Sequence, residues 1–490
     1  MNKSKLILGA AALTPLFGGA VAEAATKPDI LFIFVDDMVY DGVAALGHRQ
    51  VKTPNIDRLV ESGVSFTNNY NMGGWSGALS MASRTQLVTG KFLWNAYGES
   101  KNDKFKGMME SRQMWPQIMS DNGYKSFHTG KWHVAGVTPA KIFDEVSTVR
   151  GGMPGDNQKT TRIGYNRPLS RDDNSWQPWD ESMGGFWDGG KHWSEVQADV
   201  IIDYMDRNEE SDKPLFMTCA FNAPHDPRQS PKEFVDMYNV DEIELPASFM
   251  PEHPYKEEMR SGETVRDEQL APFPRTEYAV KKHMQEYYAI ITHLDVQIGR
   301  ILDALEKSGR AENTVIFFTA DNGLAMGRHG FLGKQSLYEH SLKTPLIVVG
   351  KDFPKGEKRD QAIYLQDLVP TSFELAGIEK PASVDFNSIL PIVKDKKAKS
   401  NYDYVYNAYI NLQRSINDGR YKLMMITDAK KFYLFDLEKD PEEITDLSQS
   451  KKHQDIIKRL AAKYLEKAKE MGDEKEFYSP EYLASFGITL

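Results

Sequence analysis

Three short stretches of apolar residues stand out along the chain, at positions 30–35, 315–318 and 346–349. Uninterrupted apolar runs of this length are typical of strands that are buried on both faces of a sheet. Residues 284–307 instead carry apolar side chains at helical spacing, and Gly309 follows them, which predicts a long amphipathic helix. Strands that alternate with helices predict an α/β fold, with a sheet covered by helices on both faces.

A different pattern follows the charged stretch 394–399, which we interpret as a linker. Residues 402–409, 420–425 and 432–437 predict short strands, and residues 452–470 predict a terminal helix. The sequence therefore predicts a large α/β domain over residues 25–393 and a smaller α+β domain over residues 394–490.

The first residues have the pattern of an export signal. Lys3 and Lys5 precede the apolar stretch 6–20, and the small residues Ala22 and Ala24 fit a cleavage site. We predict a signal peptide over residues 1–24 and a periplasmic or secreted product. A membrane anchor is the weaker alternative because the stretch is short and contains Pro15.

Composition narrows the class of protein. Among 490 residues, 60 are Lys or Arg and 70 are Asp or Glu, and the net charge of −10 argues against a general nucleic-acid binder. The single cysteine, Cys219, excludes intramolecular disulfides and cysteine-rich metal sites, and its apolar surroundings predict a place in the core. These features indicate a soluble globular enzyme.

Carboxylate and amide groups follow two of the predicted strands. Asp36 and Asp37 come directly after the first, and Asp321 and Asn322 come shortly after the second. At the carboxyl ends of sheet strands such groups can share a hard divalent cation. A helix N-cap with a solvated neighbour is the alternative for the first pair alone. The presence of two such pairs favours a metal site. We expect this site to bind Ca²⁺, with Mg²⁺ as the alternative.

The segment from Ser80 to Gly90 carries the most specific pattern, S-x-A-S-R-x-x-L-x-x-G. It resembles the signature of the type I, formylglycine-dependent sulfatases. Residues 130–133, 223–225, 321–334 and 434–447 continue the resemblance in the same order, so it covers nearly the whole chain after the predicted signal peptide. Within the family the chain is similar to bacterial polysaccharide sulfatases. An unrelated α/β hydrolase is set aside because the G-x-S-x-G elbow is missing.

The resemblance implies an alkaline-phosphatase-like α/β domain and a sulfatase reaction. Ser80 would be oxidised to formylglycine by a sulfatase-maturating enzyme, and its hydrated form would attack sulfur. A sulfate ester carries negative charge on three oxygens, so fixed cations and a metal ion would stabilise it. The implied catalytic residues are Ser80, Arg84 beside the nucleophile, Lys131 and Lys334 on the sulfate oxygens, His133 as the base, and His225 on the leaving-group side.

A serine at position 80 leaves two explanations open, because many relatives carry cysteine there. Serine-type members of the family depend on a radical maturation enzyme. Alternatively, the serine replaces a cysteine in order to trap substrate. The motif tolerates both residues.

Residues 149–193 are the part of the chain least similar to the family and are predicted to form loops over the active site. Half of the eight tryptophans lie there among several cations, an arrangement that suits a sulfated sugar. The candidate substrate-binding residues are Arg162, Trp187 and His192. The alternative is that the tryptophans only pack the loops onto the body, with a helix cap predicted at Ser194.

The first candidate substrate is a sulfated galactan of red algae such as carrageenan, and host glycosaminoglycans come second. Two other functions stay open. One is a phosphate or phosphonate monoester hydrolase of the same superfamily. The other is a protein that never matures and binds sulfated glycan without turnover.

Overall fold

The computed structural model describes residues 27–101, 103–152 and 166–490. The predicted signal peptide and Arg162 lie outside these ranges. The described strands, in chain order, are β1 Asp29–Val35, β2 Val64–Phe66, β3 Asn69–Tyr70, β4 Gly73–Gly74, β5 Lys125–Lys131, β6 Glu145–Arg150, β7 Trp187–Asp188, β8 Lys191–His192, β9 Leu215–Ala220, β10 Thr314–Ala320, β11 Leu346–Val349, β12 Glu357–Arg359, β13 Ile363–Tyr364, β14 Val405–Tyr409, β15 Gln413–Asn417, β16 Tyr421–Ile426 and β17 Lys431–Asp436.

Eight of these strands form the main sheet in the order β12-β2-β11-β10-β1-β9-β5-β6. The strands β10, β1, β9, β5 and β6 are parallel, as buried strands joined by helices usually are. The three strands predicted from apolar runs are confirmed as β1, β10 and β11. β11 is antiparallel to β10, and residues 321–345 connect the two strands.

Helices surround this sheet and the C-terminal part of the chain. In chain order they are α1 Pro54–Ser62, α2 Leu79–Thr89, α3 Leu93–Ser100, α4 Asp103–Glu110, α5 Trp115–Asp121, α6 Trp193–Arg207, α7 Lys232–Val235, α8 Glu277–Lys307, α9 Glu339–Leu342, α10 Leu368–Leu375, α11 Leu390–Lys394, α12 Gln454–Glu470 and α13 Pro480–Ala484. Among the described residues, no helix combines the length and apolar character needed to cross a bilayer.

Both faces of the main sheet are covered, as predicted. Leu31, Ile33 and Val35 of β1 pack with α1, α6 and α8 in one apolar cluster. The alternate residues Ile30 and Phe32 pack with α2, α5, α10 and α11 in another. The predicted long helix is α8, and it begins earlier than expected because Thr276 caps it, its hydroxyl accepting from the Ala279 amide.

The C-terminal part of the chain builds a second, smaller sheet in the order β17-β16-β15-β14-β4. Its strands are antiparallel except for β4, which pairs in parallel with β14. The helix α12 packs on this sheet, so the predicted α+β architecture is confirmed. The strand β4 comes from the segment just before α2. A Cβ at Gly73 would lie 2.0 Å from the Ala408 carbonyl oxygen, so this close pairing requires glycine.

Candidate active site

The carboxyl edge of the main sheet collects side chains from four elements. Asp36 and Asp37 follow β1, Asp321 and Asn322 follow β10, and Lys131 is the last residue of β5. The pairing of β1 with β10 brings the two oxygen-rich pairs together. The helix α2 starts at this edge, on the chain that leaves β4 of the second sheet. The second sheet therefore helps to position the first turn of α2.

Three carboxylates lie together at this edge. Oxygens of Asp36, Asp37 and Asp321 are all within 4.8 Å of one another, and none of the three residues is more than 1% exposed. The Asp37 amide donates to Asp321 Oδ1 at 3.1 Å, and Asn322 Nδ2 donates to Asp37 Oδ1 at 2.6 Å. Asp37 has a φ of 65°, in the left-handed region that non-glycine residues rarely adopt. Strain of this kind is concentrated at functional sites.

Three buried cations face these carboxylates. Arg84 Nε donates to Asp321 Oδ2 at 3.1 Å, and Lys334 Nζ donates to Asp37 Oδ1 at 2.5 Å. Lys131 Nζ contacts Asp36 Oδ2. Arg84 also donates to the Lys131 carbonyl at 3.2 Å, which ties α2 to β5. The cations lie in or beside the cluster, so they can hold a negatively charged ligand next to it.

The cluster fits a hard divalent cation. Burial and the neighbouring Asp321 raise the pKa of Asp36 to about 6, whereas the Arg84 and Lys131 charges hold the pKa of Asp321 well below its usual range. Carboxylate and amide oxygens form the donor set that Ca²⁺ and Mg²⁺ prefer. Asp37, His225 and Asp226 are also close enough to share an ion, but this group includes a histidine nitrogen, whereas Ca²⁺ and Mg²⁺ prefer oxygen ligands. Asp36, Asp37, Asp321 and Asn322 are therefore the better set.

Ser80 lies in the first turn of α2, against this cluster. Its Oγ is 3.0 Å from Asp36 Oδ1, 3.4 Å from Asn322 Oδ1 and 3.5 Å from Lys334 Nζ. Ser80 is only 2% exposed, yet it lines a cavity of about 250 Å³. A group at this position can reach a ligand in the cavity and an ion in the cluster at once.

The two histidines of the predicted set line the same cavity. Burial and the Lys131 charge lower the pKa of His133 to about 3. Burial likewise lowers the pKa of His225 to about 4, although the Asp226 carboxylate opposes the shift. Both rings are therefore neutral at neutral pH and can accept a proton. All six predicted catalytic residues lie around one cavity and its carboxylate cluster.

Sequence reasoning missed four polar residues beside the cavity. Arg266, Asp267 and Gln335 line it, and Asp226 contacts both Arg266 and His225. Asp226 and Gln335 directly follow predicted site residues, so their position in the motifs was an available signal. Arg266 and Asp267 lie in a stretch without a recognised motif, and only the tertiary structure brings them to the cavity.

The prediction that His192 contacts substrate is not supported by its environment. His192 is fully buried and caps α6, since its Nδ1 accepts from the Ser194 amide at 3.1 Å. Its Nε2 lies 2.8 Å from the Gln229 carbonyl oxygen. The cap predicted at Ser194 is therefore wrong by two residues. Both ring nitrogens have protein partners, and no face of the ring is open to a ligand.

The tryptophans of residues 166–193 mainly pack this segment onto the body. Trp176 is 4% exposed and lies under the Arg167 guanidinium at 4.9 Å, and Trp193 is 9% exposed. Trp187 is half-buried and meets the His192 ring edge-on at 5.4 Å. Within the described part of the chain, the cavity is lined without Trp187 or His192.

The fold and this site together indicate a hydrolase of charged esters, because a serine in the first turn of a helix lies beside buried cations and a carboxylate cluster that could hold a cation. Comparison with known families names the class. The Sulfatase family profile matches residues 28–378, and a profile for the C-terminal part of N-sulphoglucosamine sulphohydrolase matches residues 327–470. The chain belongs to the sulfatase family and is a sulfuric ester hydrolase.

Known relatives agree with this assignment. An arylsulfatase of Clostridium perfringens is 28% identical over 481 residues, covering 90% of this chain and 95% of that protein. An N-acetylglucosamine-6-O-sulfatase of Bacteroides thetaiotaomicron is 25% identical over 553 residues, covering 97% and 93%. A solved structure in complex with D-glucosamine-2-N,6-O-disulfate shares the fold, with a TM-score of 0.71 at 21% identity over 92% of this chain and 99% of that one.

Proposed function

We propose that this protein hydrolyses sulfate esters on a sulfated carbohydrate, with Ser80 converted to formylglycine as the nucleophile. The observation that carries the proposal is the position of Ser80 Oγ, 3.0 Å from Asp36 Oδ1 and 3.5 Å from Lys334 Nζ at one wall of a cavity. A nucleophile there can meet a sulfate group that is held between buried cations.

The cation site supports the nucleophile. Asp36, Asp37, Asp321 and Asn322 would hold Ca²⁺, with Mg²⁺ as the alternative. When bound, the ion supplies positive charge that favours the ionised nucleophile and the charged sulfate oxygens. Arg84 orders the protein side of this arrangement, because its always-charged guanidinium is fixed on Asp321 and on the Lys131 carbonyl.

The chemistry requires more than an ordinary serine. A sulfatase-maturating enzyme would remove two hydrogens from Ser80, and the resulting aldehyde would add water to form a gem-diol. One hydroxyl attacks sulfur while the sulfur–oxygen bond to the sugar breaks. His133, neutral and in the cavity, takes the proton of the second hydroxyl, and sulfate leaves as the aldehyde re-forms. An unmodified serine would stay sulfated after one turnover.

The buried lysines stabilise the charge that this reaction moves. Lys131 and Lys334 are only 1% and 3% exposed. Lys131 contacts the Asp36 carboxylate, and Lys334 contacts the Asp37 carboxylate. Charges that are fixed before the reaction, in a site shielded from water, stabilise a transition state more strongly than solvent does. We propose that the ammonium groups of both lysines also contact the oxygens of the bound sulfate.

Relatives support a sulfated sugar as substrate. The relative named N-acetylglucosamine-6-O-sulfatase and the fold neighbour with a bound glucosamine disulfate favour an amino-sugar sulfate of the glycosaminoglycan type. The sequence placed such substrates second, after carrageenan, and both belong in a screen. A sulfated carbohydrate as substrate is consistent with an exported enzyme. N-terminal sequencing of the mature protein would show whether residues 1–24 are removed.

The test is sulfate release by matured protein, measured by ion chromatography. The substrates are 4-nitrophenyl sulfate, N-acetylglucosamine-6-sulfate, carrageenan oligosaccharides and, as the competing ester, 4-nitrophenyl phosphate. Ser80→Ala is the control. We expect sulfate release from at least one sugar and none by the control. A large excess of phosphate over sulfate hydrolysis, or glycan binding without turnover, would overturn the proposal.

A further inference from the structure

Two aromatic rings and a lysine form a stack close to one wall of the cavity. The rings of Trp75 and Tyr97 have centroids 5.4 Å apart and planes at 20° to each other. Lys101 Nζ lies 3.6 Å from the centre of the Tyr97 ring. Both rings are half-buried and Lys101 is exposed, so the group lies at the surface. We call Trp75, Tyr97 and Lys101 the Trp75 stack.

The chain places Trp75 next to the cavity. Trp75 directly follows β4, and the next residues but one, Gly77 and Ala78, line the cavity. Two steps along the chain span at most about 7 Å, so the Cα atoms of Trp75 and Gly77 lie within that distance. Gln335, which also lines the cavity, donates through Nε2 to the Gly77 carbonyl oxygen at 3.1 Å. This hydrogen bond fixes the segment between the stack and Ser80.

The indole of Trp75 has a donor that the protein does not use. Its Nε1 makes no hydrogen bond within the described residues, and it is not a buried nitrogen. A half-exposed indole with a free N–H can contact a sugar ring and donate to one of its oxygens. Six other indole nitrogens are bonded or buried: those of Trp94, Trp115 and Trp132 donate to protein oxygens, and those of Trp176, Trp187 and Trp193 are buried.

Lys101 adds positive charge to the stack. It is exposed and forms no ion pair with a carboxylate in the described part of the chain. Its ammonium group is therefore available to an anionic ligand that also contacts the rings. A sulfated sugar combines a ring that packs on an indole with an anionic group that a lysine can bind.

We propose that the Trp75 stack binds the sugar unit next to the one held in the cavity, with the Trp75 indole on the sugar ring and the Lys101 ammonium on a sulfate of that unit. The proposal rests on the proposed function for the choice of a sulfated carbohydrate. The cavity, of about 250 Å³, holds the unit that carries the cleaved ester. Sulfated oligosaccharides should therefore be better substrates than monosaccharide sulfates.

Trp179 provides a matched control. It is half-buried, its Nε1 likewise has no hydrogen-bond partner among the described residues, and Lys232 Nζ lies 5.1 Å from the centre of its ring. Neither Trp179 nor Lys232 lines the cavity, and no residue within two positions of either does. Trp179 thus has the chemistry of Trp75 without its place beside the cavity wall.

The first test measures binding without turnover. Calorimetry would follow the binding of heparin and carrageenan tetrasaccharides, and of N-acetylglucosamine-6-sulfate, to Ser80→Ala protein in Ca²⁺. Adding Trp75→Ala should weaken tetrasaccharide binding about tenfold and change binding of the single sugar by less than about twofold. Trp179→Ala should change neither.

Three results of this experiment would overturn the proposal: unchanged tetrasaccharide affinity in Trp75→Ala, an equal loss in Trp179→Ala, or no binding of either tetrasaccharide. Wild-type protein that binds a tetrasaccharide through Trp75 but releases no sulfate would instead reject the proposed function and leave this binding site in place.

The charge of Lys101 has its own test. Lys101→Met should weaken tetrasaccharide binding about threefold at low salt and by less at high salt, because an exposed charge is screened. Lys232→Met should leave the affinity unchanged at either salt concentration. Equal affinities of Lys101→Met and the parent protein at low salt would overturn the assigned contact with sulfate.

The kinetics of matured enzyme separate substrate binding from a disturbed Ser80. Trp75→Ala should raise KM for a tetrasaccharide about tenfold and leave kcat and KM for 4-nitrophenyl sulfate near wild type. Equal losses on both substrates would show a merely structural role. If Trp75→Ala does not fold, Trp75→Leu is the second variant. It keeps apolar contact with the cluster that includes the second sheet, lacks the indole, and should show the same selective loss.

Discussion

The ammonium group of Lys131 contacts the carboxylate of Asp36 although neither side chain has any exposed surface. The contact joins the end of β5 to the end of β1, two strands that are separated in the main sheet by β9. Asp36 also lies 3.0 Å from Ser80 Oγ. The ion pair therefore connects the sheet with the carboxylate cluster and with Ser80, the proposed nucleophile.

Lys131→Met should leave the protein with a buried carboxylate that has lost its nearest cation. Breaking one side of a buried ion pair costs about 3–5 kcal/mol, so we expect a loss of this order in the free energy of unfolding when divalent ions are absent. Saturating Ca²⁺ should reduce the loss. Urea unfolding with and without Ca²⁺ measures both values.

Lys191→Met is the control for that change. Lys191 pairs with Asp199 at the surface, with 45% and 37% of the side chains exposed, and its loss should cost less than about 1 kcal/mol. Sulfatase activity should fall at least about 10²-fold in Lys131→Met and stay near wild type in Lys191→Met. Full activity in Lys131→Met would contradict the role assigned to this lysine.

The proposed cation site leads us to expect stabilisation by divalent ions. A ligand at one hundred times its dissociation constant stabilises the folded state by about 2.7 kcal/mol, so Tm should rise on adding Ca²⁺ to protein treated with a chelator. Asp321→Asn should remove most of this rise, whereas Asp303→Asn, at an exposed ion pair with Arg58, should keep it. Identical Tm values with and without ion in wild-type protein would refute the site.

The buried position of His192 predicts a loss of stability without a change in substrate affinity. His192→Ala removes the cap of α6, which costs about 1–2 kcal/mol. His192→Asn should recover part of that stability, because asparagine is a good capping residue. Thermal unfolding and KM for a sugar sulfate are the measurements. A raised KM at unchanged stability would restore His192 as a substrate-binding residue.

The second sheet depends on a buried ion pair that was not expected from sequence. Arg414 of β15 pairs with Asp473 at 2.7 Å, and both side chains are fully buried. Arg414→Met should lower the free energy of unfolding by about 3–5 kcal/mol. Arg459→Met, at a pair whose arginine is 43% exposed, should cost less than about 1 kcal/mol. Equal effects of the two changes would argue against the packing described here.

Arg414→Met should also lower activity, because β4 of the same sheet leads directly into α2 and Ser80. Added osmolyte, which favours the compact state, should restore part of that activity. Activity that does not recover while the fold does would show that the second sheet does not position Ser80.

The sequence predicted strands best where a strand consists mainly of buried apolar residues. The strands β1 and β10 each contain a continuous apolar run, so the polar residues that follow them could be placed at one sheet edge. The strand β15 was missed because Gln413, Arg414 and Ser415 are polar yet buried, each with a partner supplied by the tertiary structure. The two glycines of β4 carry no strand signal, and their pairing with β14 spans more than three hundred residues.

The residues around the cavity show the same limit of prediction from sequence. The motif residues Ser80, His225 and Lys334 could be predicted individually, since each lies in a recognisable segment. Arg266 and Asp267 come from a short helical turn between loops, and no periodicity or motif marks them. The tryptophan-rich segment left two interpretations open, because aromatic composition alone does not distinguish a surface that binds sugar from one that packs against the body.

The most direct test of this account is the mass of the tryptic peptide from Leu59 to Arg84, taken from protein purified from its own host. The account predicts the loss of two hydrogens at Ser80, the change from serine to formylglycine, in the fraction that releases sulfate from sugar. Unmodified Ser80 in protein that turns over sulfate esters would contradict the mechanism.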